Sequence, residues 1–159
     1  MSSVRAHGWS LQGEAWRQLI RLHEELSLKW QRTVLSASHH QQVPARPGVY
    51  AIEFASPLQL GAGQDNGCAP IRAPIYVGKS ITSIRGRFYK HAGDDPQDLI
   101  ALARQWPDLA PLPRVFIWAE VSAIDAVSEL ESRLIECFNP PCNKIGGLRL
   151  SAGRPAGAL

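Results

Sequence analysis

The spacing of apolar residues changes several times along the chain, and each change marks an element. Between residues 10 and 35, Trp16, Leu19, Ile20, His23, Leu26 and Trp30 recur at steps of three and four, the spacing of one helical face. Glu14, Arg17, Arg21, Glu24, Glu25 and Lys29 fill the rest of the circumference, so 10–35 is expected to form one amphipathic helix, capped by Ser10 and packed on a core. A polar connector from Ser36 to Arg46 follows, with His39 and His40 inside it. Adjacent histidines do not share a helical face and no third ligand stands near, which argues against a metal site there. Pro47-Gly48 breaks the chain, and Val49 to Phe54 reads as a strand. Residues 55–73 combine glycines and prolines with no period, the signature of a long loop, functional or mobile. Ile75 to Gly78 reads as a second strand, antiparallel to the first across a simple hairpin.

Thr82 or Ser83 is placed to cap a short helix that runs to about His91. In it Arg87 and His91 stand four apart and project from the same face, with Arg85 and Lys90 elsewhere on the circumference. Asp95-Pro96 opens another helix, with an N-cap aspartate and proline at the first helical position, and Leu99, Ile100, Ala103 and Trp106 as its apolar stripe. Arg114 to Val121 is the third strand. Ser122-Ala123-Ile124-Asp125 resembles a capping box that opens the last helix; Val127, Leu130, Leu134 and Phe138 form its stripe, and Asn139-Pro140-Pro141 stops it. The expected fold is therefore α/β (α+β): a small central antiparallel sheet of three strands flanked by helices, with an amino-terminal helix on one side.

Composition adds bounds. At 159 residues, with 45% apolar and 19% charged positions, the chain suits one globular domain and not a disordered one. The formal charge of +3 and a pI near 9.0 permit a polyanionic partner, and the distribution of charge matters more than the total. No apolar run reaches the ~18 residues of a membrane span, and Met1 to Arg5 lacks the apolar core of a secretory signal. Cys68, Cys137 and Cys142 are odd in number and show no CxxC spacing, which points to free thiols and a cytoplasmic setting, with no disulfide framework or zinc site.

The candidate chemistry gathers at the ends of the first two strands. Gly48-Val49-Tyr50 and Tyr76-Val77-Gly78 bring two tyrosines together, and a phenol hydroxyl wants a polar partner that packing alone does not supply. Lys79, Arg85, Arg87, Lys90 and His91 follow closely, and no acidic residue interrupts Ile71 to Gly93. One carboxylate, Glu131, comes later, at the edge of the last helix's apolar stripe. Tyrosines, an arginine, a histidine and a carboxylate are a toolkit for cutting a phosphodiester.

In this order these residues resemble the GIY-YIG nuclease superfamily. Gly48-Val49-Tyr50 and Tyr76-Val77-Gly78 stand for the two halves of the motif, Arg87 for its arginine, and His91 for the residue one turn later. Glu131 stands for its glutamate, and Asn143 for the asparagine that closes it after a proline. Arg85 rivals Arg87; we prefer Arg87 because it alone lies one helical turn before His91. The long step from Tyr50 to Tyr76 departs from the short hairpin of repair and homing members and is more like that of the restriction endonucleases.

The resemblance implies a GIY-YIG core over residues 47–146, preceded by the helix and connector of 1–46 and followed by a flexible tail, 147–159. It also implies an endonuclease that hydrolyses DNA phosphodiesters with one Mg²⁺ or Mn²⁺ ion per site, held by Glu131. Arg87 would bind the scissile phosphate and stabilise its developing charge. Tyr50 would be the general base, its phenol drawn down from a pKa near ~10 by Arg87, Lys79 and the metal. His91 would relay the proton, and Tyr76 would position water or phosphate. Lys79, Arg85 and Lys90 would contact DNA, while Gly78 and Asn143 would be structural. A restriction-type enzyme acting on a palindrome implies a homodimer; the alternatives are a repair or mobile-element nuclease on structured DNA, and a nucleic-acid-binding module without turnover. A covalent tyrosyl-phosphate mechanism would need neither Glu131 nor metal.

Overall fold

In the computed structural model, residues 13–54, 74–93 and 112–143 are described. The order is helix α1 (Gly13–Glu25), strand β1 (Trp30–Val34), a 3₁₀ helix (Ala37–Gln42), β2 (Gly48–Phe54), β3 (Pro74–Ser80), helix α2 (Ile84–Ala92), β4 (Arg114–Glu120) and helix α3 (Ile124–Phe138). The expected cap at Ser10, the loop of 55–73, the helix from Asp95 and the tail lie outside the described residues.

Four strands, not three, form one antiparallel sheet in the order β1-β4-β2-β3. The additional strand comes from the second half of the stretch expected to be helical. α1 stops at Glu25 because the chain turns left-handed at Ser27, φ 50°. The Ser27 amide then donates to the Glu24 carbonyl and the Leu28 amide to that of His23, the paired bonds that close a helix at a left-handed residue. Beyond that turn Trp30 to Val34 pair with Ala119 to Val115 of β4. Trp30 keeps a helical spacing from Leu26, but Trp, Thr and Val suit a strand, and an open edge on β4 offers the backbone partners that decide the outcome. The buried stripe of α1 is Ala15, Leu19 and Leu22; Ile20 and His23 are exposed.

The sheet has helices on both faces, as its alternation of side chains allows. On one face α1 and α3 cover Val49, Val77 and Ala119 through Leu19, Leu22, Val127, Leu130 and Leu134. Trp16 meets Phe138 edge-on at 5.2 Å between α1 and α3. On the other face α2 lies over Tyr50, Ile52, Phe116 and Trp118 through Ile84 and Phe88, with the 3₁₀ helix beside it. Ser83 is the cap of α2, accepting from the Gly86 amide at 3.2 Å. The capping box expected at Ser122 does not form: Ala123 holds the N-cap position of α3 with no side-chain bond. Asn139, left-handed at φ 45°, ends α3 ahead of two prolines. No helix among the described residues is long and apolar enough to cross a membrane.

Candidate active site

Both motif glycines are required by close approaches of the chain. A Cβ on Gly48 would overlap the Ala119 carbonyl oxygen and stand 2.7 Å from Ile84 Cδ1. A Cβ on Gly78 would stand 2.6 Å from the Tyr50 hydroxyl and ring and 2.9 Å from the Tyr76 ring. Gly78 is paired directly with Tyr50, and opposed residues of an antiparallel ladder share a face. The absent side chain is what lets the Tyr50 phenol lie across β3.

Tyr50 is 2% exposed, with its ring stacked on Phe116 at 4.9 Å. Its hydroxyl is hydrogen-bonded to Nε2 of His91 at 3.0 Å, and His91 is buried as well. Tyr76 faces the same side and is half-buried, its ring 6.1 Å from that of Tyr50 and 5.1 Å from that of His91. The three rings form one cluster under the carboxyl-terminal turn of α2, and Tyr76 is the member that reaches solvent.

α2 carries its basic residues on two different flanks. Ile84, Phe88 and His91 face the sheet. Arg85 and Tyr89 fall on one side of that stripe and Arg87 and Lys90 on the other, by the helical repeat. Arg85 is half-buried toward the 3₁₀ helix: its Nε donates to the Val43 carbonyl at 2.6 Å, and its amide to that of Pro44 at 3.1 Å. Tyr89 rests against His40 on the same flank, ring centroids 4.8 Å apart. Because the 3₁₀ helix packs next to β1, this flank looks toward the β1 end of the sheet. Arg87 and Lys90 are exposed on the flank toward β3 and Tyr76.

Lys79 and Glu131 meet on the opposite face of the sheet. Lys79 is paired with Val49 of the α1–α3 face. Its Nζ lies 2.9 Å from Glu131 Oε2 and donates to Ser128 Oγ at 3.1 Å. The register thus puts the rings on one face of β3 and Lys79, with its partner Glu131, on the other. β3 is the edge strand between them. Asn143 closes its outer side: Oδ1 accepts from the Val77 amide at 2.9 Å, and Nδ2 donates to the Val77 carbonyl at 2.7 Å. The Cys142 amide adds a bond to the Ile75 carbonyl at 2.9 Å. The Asn143 side-chain amide thus takes the place of a fifth strand along β3.

Two contributors were not anticipated from sequence. Ser128 as a partner of Lys79 leaves no signal, because nothing local links the residues. The charge layout was legible only in part. Neither 30–52 nor 74–93 contains an acid, so α2 itself carries Arg85, Arg87 and Lys90 with no carboxylate among them. α1 and α3 carry Glu14, Glu24, Glu25, Asp125, Glu129, Glu131 and Glu136. Burial pushes the Cys137 thiol up to about 11, with Glu136 adding to the rise, so it stays protonated at neutral pH and takes no part in this chemistry.

A single carboxylate sets what metal the site could take. Among the described residues no group of three or more His, Cys, Asp or Glu side chains converges. The part-buried Glu131 carboxylate already holds one cationic group, the Lys79 ammonium. That fits a hydrated Mg²⁺, which takes one carboxylate plus water and phosphate oxygens, and not a caged ion. Comparison with known proteins finds no matching family model, curated protein or solved structure.

Proposed function

We propose that the chain is a metal-dependent DNA endonuclease of the GIY-YIG kind. The observation that carries this reading is the Tyr50–His91 hydrogen bond, 3.0 Å and buried, set beside the part-exposed Tyr76. A buried phenol–imidazole pair under an acid-free basic helix is costly to assemble for packing alone, and it suits the movement of a proton from water beside a phosphate.

Phosphodiester hydrolysis needs a deprotonated water in line with the departing 3′ oxygen, and charge stabilisation on the phosphoryl oxygens. Arg87, exposed on the β3 flank of α2, donates to two oxygens of the scissile phosphate. The Tyr50 phenol accepts the water's proton and passes its own to His91 Nε2. Tyr76, at the mouth of the cluster, orients the water or a phosphate oxygen. Glu131 would hold a Mg²⁺ or Mn²⁺ ion, which supplies charge neutralisation at the leaving oxygen when bound. Lys90 binds flanking phosphates on the same flank. Arg85 fits a backbone latch better than a phosphate contact, because its Nε is engaged by Val43.

The preferred biological role is restriction, with a homodimer placing one site on each strand of a palindrome. Digestion of plasmid and phage-length DNA in Mg²⁺, followed by sequencing of the ends, tests this. Discrete fragments with uniform ends support it. Nicks or structure-specific cuts indicate a repair or mobile-element nuclease, and binding without cleavage indicates a non-catalytic module.

A further inference from the structure

The carboxylate assigned to the metal is already in use. Glu131 is part-buried, its side chain 20% accessible, and its carboxylate is engaged in an ion pair. Its partner is delivered from another element: β3 fixes the Lys79 backbone against Val49, and the four-carbon stem carries Nζ to Glu131 Oε2 and Ser128 Oγ. A divalent ion on that oxygen, at the ~2.1 Å of Mg²⁺, would stand within about 5 Å of the ammonium, and the two would repel. The ammonium has somewhere to go. Lys79 is 35% exposed, and its stem turns freely while the strand stays fixed.

We propose that Lys79 is an exchangeable counter-ion of the active site. It holds Glu131 in place of the metal, and it is released to a phosphate oxygen of the substrate when a divalent cation takes the carboxylate. This rests on Glu131 being the metal ligand in the nuclease reading, and it adds a coupling that reading does not require. One carboxylate is contested by two cations, and a DNA phosphate is the alternative partner for the cation that loses. Metal and DNA therefore bind with positive cooperativity, and by linkage each strengthens the other equally. Ser128 has a part of its own: its hydroxyl steadies the ammonium on Glu131 and so weakens metal binding.

The test is a Mg²⁺ titration of the ¹⁵N-labelled full chain without DNA, followed at the Ser128 and Glu131 amides, for the wild type, Lys79→Met, Ser128→Ala and Glu131→Gln. Each spectrum also reports whether the variant is folded. Lys79→Met is expected to bind Mg²⁺ about two- to fivefold more tightly, the range of a part-exposed ion pair, and Ser128→Ala to shift the same way by less. In a parallel duplex-binding titration, adding Ca²⁺ should raise the affinity of the wild type more than that of Lys79→Met. Equal or weaker Mg²⁺ binding by Lys79→Met would overturn the exchange while leaving the metal site standing. Identical Mg²⁺ shifts in the wild type and Glu131→Gln would remove the metal site itself, and the exchange with it.

Discussion

At the scale of single residues, the Tyr50 hydroxyl bonded to His91 is where a catalytic role and a packing role differ in their consequences. Tyr50→Phe keeps the ring on Phe116 and removes only the hydroxyl bonded to Nε2. Its expected stability cost is about 1 kcal/mol, against a fall in cleavage rate of about 10²–10⁴; thermal unfolding and single-turnover cleavage measure the two separately. The two arginines make a second contrast. Arg85→Ala loses the bond from Nε to the Val43 carbonyl and should destabilise by about 1–2 kcal/mol. Arg87→Ala, exposed and with no described partner, should stay within about 0.5 kcal/mol of the wild type in urea unfolding. Its cleavage should fall by about 10²–10³. Four-residue spacing was enough to put Arg87 and His91 in related positions on α2. It could not show that Arg85 turns back to the 43–46 backbone, because that depends on a chain segment distant in sequence.

At the scale of elements, what local pattern specifies was legible and what a neighbour supplies was not. β2, β3, β4 and α2 follow from period, caps and breakers that sit inside each segment, and α3 from its period and the stop at Asn139, without the cap expected at Ser122. β1 does not: Trp30 continues the spacing of Leu26, and only β4's open edge draws Trp30 to Val34 into the sheet. The signal that could have divided the segment is Ser27, at which the backbone turns left-handed, but serine is a weak marker for that conformation. Ser27→Gly should therefore stabilise the fold by up to about 1 kcal/mol, read as a raised urea midpoint with an unchanged slope. A lowered midpoint would mean that the Ser27 side chain contributes more than the strain costs. Asn143 poses the same problem at the other edge. Its place after a proline was visible, but its clamp on Val77 depends on α3 returning the chain to β3.

At the scale of the whole molecule, the two helical layers differ in charge and the sheet edge lies between them. Among the described residues α2 carries no acid, while α1 and α3 hold most of the carboxylates; a duplex lying along the β3 flank of α2 would meet Arg87 and Lys90 and approach the acidic layer only at Glu131. Replacing both by Ala should flatten the dependence of log K on log salt by about 2 if each neutralises one phosphate, whereas an equal slope would place the DNA elsewhere. The central claim is that this edge is a metal-dependent nuclease site with Glu131 as its carboxylate. Its most direct test is cleavage of a supercoiled plasmid by the wild type and Glu131→Gln, each in Mg²⁺ and in EDTA, with duplex binding measured alongside. The account predicts cleavage by the wild type in Mg²⁺ alone, and none by Glu131→Gln despite undiminished DNA binding. Cleavage that survives EDTA, or a Glu131→Gln chain that cuts as fast as the wild type, would contradict it.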